Sequence, residues 1–296
     1  MTPRTYLPLA LTALVAAATA GSAGAQLIAY DPFNNFAPSQ LNGTVSSGVP
    51  WPASGEDRTW SGAAGIVGGV VQPGSLTYGP LQTGGNHAQM SWSSGGNFSF
   101  RSLGSNRGGA TADFWISFLA DLTQPGQDLV LYHMTNQTLV PQMSIGAPLS
   151  GGVGLALGAG VTGSGGQTLT VSPALSPNGA THFYAAHFQL GSAGNTNTIA
   201  LIIDPDFSSL GTGMAPTGGS TVTFTTATDF ALDYFLIGNF GGVSGAAGAF
   251  DLDEIRLGTT WASVSPVPEP STLLLAGGGL AVAVCVRRRS KVRTGR

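Results

Sequence analysis

The chain has almost no cysteine, almost no lysine and few charged residues of either sign. Its one cysteine, Cys285, lies in an apolar run near the C-terminus. The rest of the chain therefore has no disulfide, no cysteine nucleophile and no cysteine-based zinc site. Its one lysine is Lys291, which belongs with Arg287, Arg288, Arg289, Arg293 and Arg296 to a basic cluster behind that run. Arg4 sits at the other end, so Arg58, Arg101, Arg107 and Arg256 alone face all 14 acids in between. The formal net charge of −3 thus conceals a central region near −10. Phosphate binding needs clustered cations, so nucleic acid is excluded as a partner and an anionic membrane surface is disfavoured.

Two apolar runs stand out, one at each end. Met1–Arg4 carries one positive charge, Leu7–Ala20 is almost wholly apolar, and Ala23-Gly24-Ala25 precedes Gln26. Charge, short apolar region and small-residue site, in that order, predict a secretory signal peptide over residues 1–25. Cleavage is expected between Ala25 and Gln26, after export by the Sec-type machinery. An exported body of about 240 residues can bury a core without disulfides.

Between Gln26 and Pro266 no window sustains a helical apolar period. Short runs rich in β-branched and aromatic residues read as strands instead. They are 27–30, 75–78, 98–103, 113–122, 128–134, 181–190, 198–204, 233–240 and 250–258. Gly-Gly pairs, among them 84–85 and 218–219, and Asn-Gly at 42–43 and 178–179 supply turns, because glycine takes positive φ freely. Strands and turns without helices predict an antiparallel sandwich or barrel, folded as one domain.

Candidate chemistry is sparse. Glu56, Asp57 and Arg58 read as a solvated loop. Asp251, Asp253 and Glu254 lie near Arg256 on an expected strand. Alternation sends Asp251, Asp253 and Ile255 to one face and Leu252, Glu254 and Arg256 to the other. Two readings stand: structural acids paired with Arg256 or backbone amides, and a Ca²⁺ or sugar site using Asp251 or Asp253, with Asp204 or Asp206 as further ligands. His87, His133, His182 and His187 form no zinc motif, and the five-residue spacing of His182 and His187 sends them to opposite faces. No nucleophile elbow or phosphate loop is present. Asn42, Asn97 and Asn136 occupy N-x-[ST] sequons, and Trp51, Trp60 and Trp92 lie in or near loops, where they stack on sugars or cover a core edge.

"LIAYDPFNNFAPSQLNG" from Leu27, "GSLTYGPL", "FRSLG", "DFWISFLADL" and "FDLDEIRLGTTWASV" (Phe250–Val264) resemble segments of the concanavalin A-like lectin/glucanase superfamily, which includes laminin-G-like domains. The last of these resembles its closing strand. The resemblance implies an all-β fold, an antiparallel jelly-roll β-sandwich. The superfamily also includes glycoside hydrolases. Laminarinase-like members carry Glu-x-Asp-x-(x)-Glu on one face of a strand, and retaining enzymes hold two carboxyl groups about 5–5.5 Å apart. Asp251-Leu252-Asp253-Glu254 departs from that pattern, with aspartate first and Glu254 on the wrong face. The expected body is therefore non-catalytic, structural or carbohydrate-binding. A glycoside hydrolase or lyase acting on extracellular polysaccharide is the alternative.

Val267, Pro268, Glu269 and Pro270 then introduce the second apolar run. The prolines keep Glu269 extended. Leu273 to Val286, including Leu274, Leu275 and Leu280, is 14 residues, about 21 Å as a helix, somewhat short of the roughly 20 residues of a full transmembrane helix. Arg287, Arg288 and Arg289 follow and are expected to stay cytoplasmic. Motif, apolar helix and basic end resemble the PEP-CTERM sorting signal over residues 267–289. That resemblance implies recognition by an exosortase, a membrane-embedded cysteine enzyme of bacteria that make exopolysaccharide. The expected organisation is signal peptide 1–25, sandwich 26–266 and sorting signal 267–296. The expected route is a single-pass intermediate in the inner membrane, then the cell surface or extracellular matrix. No cofactor is expected beyond the weak calcium candidates.

Overall fold

The computed structural model describes residues 26–33, 41, 69–79, 81, 83–91, 97–103, 112–123, 127–135, 138–147, 153–157, 168–172, 179–192, 194–227, 232–239 and 249–265. Residues 1–25, expected to be a signal peptide, the tail from 266 onward, the expected Glu56–Arg58 loop, Trp51, Trp60, Trp92, Asn42, Asn136 and the side chains of Asn97 and His133 lie outside that set. Among the described residues no helix is long and apolar enough to cross a membrane.

Fourteen strands follow one another: β1 (Leu27–Asp31), β2 (Val70–Pro73), β3 (Asn86–Ser91), β4 (Asn97–Ser102), β5 (Ala112–Ala120), β6 (Gln127–Thr135) and β7 (Thr138–Ala147). Then come β8 (Val153–Leu157), β9 (Thr168–Ser172), β10 (His182–Leu190), β11 (Asn197–Ile203), β12 (Ser220–Thr226), β13 (Tyr234–Asn239) and β14 (Ala249–Gly258). A 3₁₀ turn occupies Phe207–Ser209, and a short helix α1 (Trp261–Val264) closes the described chain. The strands form an eight-stranded sheet, β12-β11-β10-β5-β14-β3-β2 with β1 also on β14, and a six-stranded sheet, β4-β13-β6-β7-β8-β9. Their ladders are antiparallel, which makes the body the expected sandwich.

Alternation along β5 shows how the layers arise. Phe114, Ile116 and Phe118 point between the sheets, where they meet Leu129, Leu131, Ile145, Phe235 and Ile237 of the six-stranded sheet. Trp115 and Leu119 point the other way. On that outer face they join Phe183, Ala185 and Ile202 under a cover of Leu76, Tyr78, Leu81, Leu210, Trp261 and Val264. The eight-stranded sheet therefore has apolar cover on both faces at this end. Toward β12 the outer face is polar, and Thr221, Thr223, Thr225 and Gln189 are exposed.

Two expectations change. Ser75–Tyr78 is not a strand: it crosses the outer face and makes only the bridge of Tyr78 with Leu81. The last strand ends at Gly258, the expected limit, and beyond it Thr260 and Ser263 form a reciprocal capping box that starts α1. The alternation of β14 also breaks. Asp253 lies opposite Leu119 and Arg256 opposite Ser117, so Phe118 faces two residues, Glu254 and Ile255. This is a β-bulge. It rotates Ile255 into the core with Phe250 and Leu252 instead of leaving it beside Asp253.

Candidate functional site

The bulge lies where β14 changes partners. β3 pairs with Ala249–Leu252 and β1 with Ile255–Gly258, both on the edge opposite β5. Glu254 sits between these two pairings at φ 56°, a left-handed conformation that costs a residue with a Cβ about 1–3 kcal/mol. Its surroundings hold it there. Tyr30 donates its hydroxyl to Glu254 Oε2 at 2.7 Å, and Arg256 Nη2 donates to the same oxygen at 2.8 Å. The Arg256 guanidinium also lies 4.5 Å from the Tyr30 ring centre, a cation–π contact. Burial, reinforced by the Glu254 charge, pushes the Tyr30 hydroxyl well above its ordinary pKa, so it remains a donor.

Asp253 is wholly buried. Its Oδ1 accepts the Glu254 amide at 2.8 Å, and its Oδ2 accepts the Leu76 amide at 3.1 Å and the Ser75 hydroxyl. Burial pushes this carboxyl up to about 8. The Ser75 hydroxyl pulls it down most strongly against that, while the Glu254 charge adds to the rise. Asp251 takes Gln89 Nε2 at 2.9 Å and stands 3.4 Å from His87 Nε2. The hydrogen bond to Asp251 raises the His87 pKa, helped by the bond between its Nδ1 and the Gly74 carbonyl. Asp121 and Asp251 exchange backbone contacts across β5 and β14: the Asp121 amide donates to the Asp251 carbonyl, and the Asp251 amide to the Asp121 carboxylate. Burial lifts Asp121 to about 6.

The DPD pair lies elsewhere. Asp204, at φ 53°, accepts the Phe183 amide at 3.0 Å and meets His182 Nδ1 at 2.5 Å. Asp206 is exposed and accepts the Thr217 hydroxyl at 3.3 Å. Among the described residues no three of His, Cys, Asp and Glu converge as metal ligands. His182 and His187 do separate: His182 lies edge-on to Tyr184, whose ring is in the core, while His187 stacks on the outward Trp115 at 4.0 Å and meets Asp113 at 2.8 Å. Asp253 and Glu254 instead bind amides, hydroxyls and Arg256, and neither is more than 3% exposed.

Sequence reasoning missed several partners. Arg101 of β4 donates from Nη1 to Asp31 Oδ2 of β1 at 2.7 Å, with both side chains wholly buried, and this ion pair joins the two sheets. Burial pulls the Arg101 pKa down to about 10, against the restoring charge of Asp31. Asp31 Oδ1 also accepts the Phe33 amide. On the outer face of the six-stranded sheet, Phe100 and Tyr234 meet edge-on at 6.2 Å, both half-buried. Their outward direction follows from the inward Phe235 and Ile237 on the same strand.

Strand pairing defines the class, an antiparallel β-sandwich of two sheets. The tail is more specific: residues 266–289 match the PEP-CTERM protein-sorting motif. That motif marks a secreted, exosortase-processed surface or extracellular protein. Among solved structures, the chain is similar to the T. cruzi calreticulin globular domain, with 11% identity and a TM-score of 0.44, covering 89% of this chain and 100% of that one. It is similar to a Bacillus licheniformis beta-glucanase, with 12% identity and a TM-score of 0.38, covering 80% and 99%. It is also similar to peanut lectin, with 10% identity and a TM-score of 0.32, covering 65% and 98%. No curated protein sequence matches this chain.

Proposed function

We propose that this is an exported surface or matrix protein whose sandwich is non-catalytic and serves a structural or carbohydrate-binding role. The signal peptide delivers it by the Sec-type route, the apolar tail holds it in the inner membrane, and the exosortase releases it outward. The observation that carries the non-catalytic reading is the engagement of the β14 acids. Asp253 and Glu254 are 0% and 3% exposed and bound by Ser75, Leu76, Tyr30 and Arg256. A glycosidase needs an acid and a nucleophile or base that reach the sugar from opposite sides of the scissile bond. These two carboxyl groups instead hold a bulge and a crossing loop in place.

The outward Phe100–Tyr234 pair supports a sugar contact, because aromatic faces pack against the apolar face of a pyranose and their edges remain in water. Affinity electrophoresis of the wild type in gels containing neutral polysaccharides tests it. Retardation in at least one polysaccharide, lost in Tyr234→Ala, is the result expected of a binding module. Retardation unchanged in that variant places the contact elsewhere. No retardation in any gel leaves the structural role alone.

A further inference from the structure

The end of the described chain is firmly attached to one surface. Ser265 is buried, and its hydroxyl accepts the Gly211 amide at 2.8 Å. The Trp261 indole donates to the Ser209 carbonyl at 2.7 Å, and Ser117 of β5 donates to the Val264 carbonyl at 2.6 Å. The Trp261 ring packs against Trp115 at 5.4 Å and Phe183 at 6.1 Å. The chain thus leaves the body from the loop that joins β11 to β12, at a point set by three hydrogen bonds and a buried tryptophan.

The same loop carries the two large hydrophobic residues that are exposed among those described, Phe207 at 42% and Met214 at 68%. Phe207 is held rather than free. Its ring lies 5.1 Å from Tyr78, which stacks on Phe183, and it presses so closely on Gly79 that a Cβ there would overlap it at 2.1 Å. The ring rests on the outer apolar layer through Tyr78, and among the described residues nothing covers its exposed side.

Chain length says what approaches it. Pro268 follows Ser265 by three residues, a reach of at most about 11 Å. An enzyme that grips Pro268-Glu269-Pro270 must therefore come up against the surface around Ser265. We propose that the loop surface bearing Phe207 and Met214, beside α1, is a docking face for the membrane-embedded sorting enzyme, so that the enzyme reads folded body and linear motif together. This rests on the exosortase reading of the tail. A bilayer is the poorer occupant, since Asp206 beside Phe207 is exposed and no lysine or arginine lies in this loop to meet anionic headgroups. An exposed aromatic ring held by Tyr78, with an exposed methionine in the same loop, suits a protein surface, where aromatic and methionine side chains are enriched.

The test uses the full chain in cells that contain the cognate exosortase with an epitope tag, following conversion of full-length to processed protein by pulse–chase. Phe207→Ser with Met214→Ser is expected to slow conversion about 5- to 10-fold with the motif intact, and Phe207→Leu with Met214→Leu to restore most of it. A flexible 20-residue Gly-Ser insertion after Ser265 is expected to slow conversion similarly, because it uncouples body and motif. Unchanged protease resistance of the full-length variants shows that the fold persists. A photo-reactive phenylalanine analogue in place of Met214 should crosslink to the tagged exosortase. Wild-type conversion in the double variant overturns the proposal, as does crosslinking to lipid or to a second copy alone. Alanines at Pro268–Pro270 separate the two readings. If they leave conversion unchanged, the sorting reading fails. If they block it while the double variant behaves as wild type, the docking face alone fails.

Discussion

Asp31 and Asp253 are both wholly buried, yet the protein holds them by different means. Asp31 meets a cation, Arg101, across the sandwich. Among the described residues Asp253 is hydrogen-bonded by dipoles, two amides and a hydroxyl. A paired charge fixes one sheet against the other and depends on its partner. A carboxyl held by dipoles fixes a local crossing, here the loop from Gly74 to Leu81 over the outer face, and keeps a proton into the neutral range. The first arrangement is fragile to substitution and the second to pH.

Arg101→Met tests the difference most severely. It leaves Asp31 buried without a cation and should cost about 3–5 kcal/mol in urea unfolding. Adding Asp31→Leu to it should recover most of that loss, because two apolar side chains can fill the space of a buried pair. Asp253→Asn should cost less, about 1–3 kcal/mol, since its amide brings one hydrogen more than the protonated carboxyl into a buried site lined by donors. That loss should be equal with and without calcium. A calcium-dependent rise in the wild-type melting temperature, absent in Asp253→Asn, would instead make this a metal site.

The pH dependence sharpens the contrast. Burial raises the Asp253 carboxyl from 3.8 to about 8, so between those values the folded protein holds a proton that the unfolded chain has released. The resulting stability is complete below about pH 4 and is lost as pH rises through 8. Asp121, raised to about 6, acts in the same direction over a narrower window. Melting temperature followed from pH 4 to 8 should fall in the wild type, with a shallower slope in Asp253→Asn. The least effect on the fold is expected from alanines at Pro268–Pro270. The body's melting temperature should not move, while full-length protein accumulates in the inner membrane fraction.

Much of the strand order could be read from the chain because the β-branched and aromatic runs are short and bounded by glycine. β5, β10, β11 and β13 fall within a residue or two of their expected limits. Ser75–Tyr78 misled because its apolar residues do alternate, but they cover the outside of a sheet instead of joining one. The strand β12, "STVTFTT", is a period-two segment with only Val222 and Phe224 as apolar residues, and three of its four threonines face water, so it lacks the apolar density of the other strands. The site was less legible. A bulge is invisible to alternation until the partner strand is known, so the expected faces fail beyond it: Ile255 joins Leu252 in the core and Arg256 turns to the Asp253 side. Partners such as Tyr30 for Glu254 lie 224 residues apart, and Arg101 for Asp31 lies 70 residues away. By contrast the tail could be read directly, because its information is linear: a motif, an apolar run and arginines in fixed order.

The claim at the centre is that the β14 acids serve the fold and do no chemistry. Reducing-end release by the purified protein from soluble and insoluble glucans, xylans and mannans, measured from pH 4 to 8, tests it most directly. The account predicts none at any pH, with Asp253→Asn and Glu254→Gln changing only the melting temperature. Sugar release by the wild type that either substitution abolishes, with the melting temperature unchanged, would contradict it.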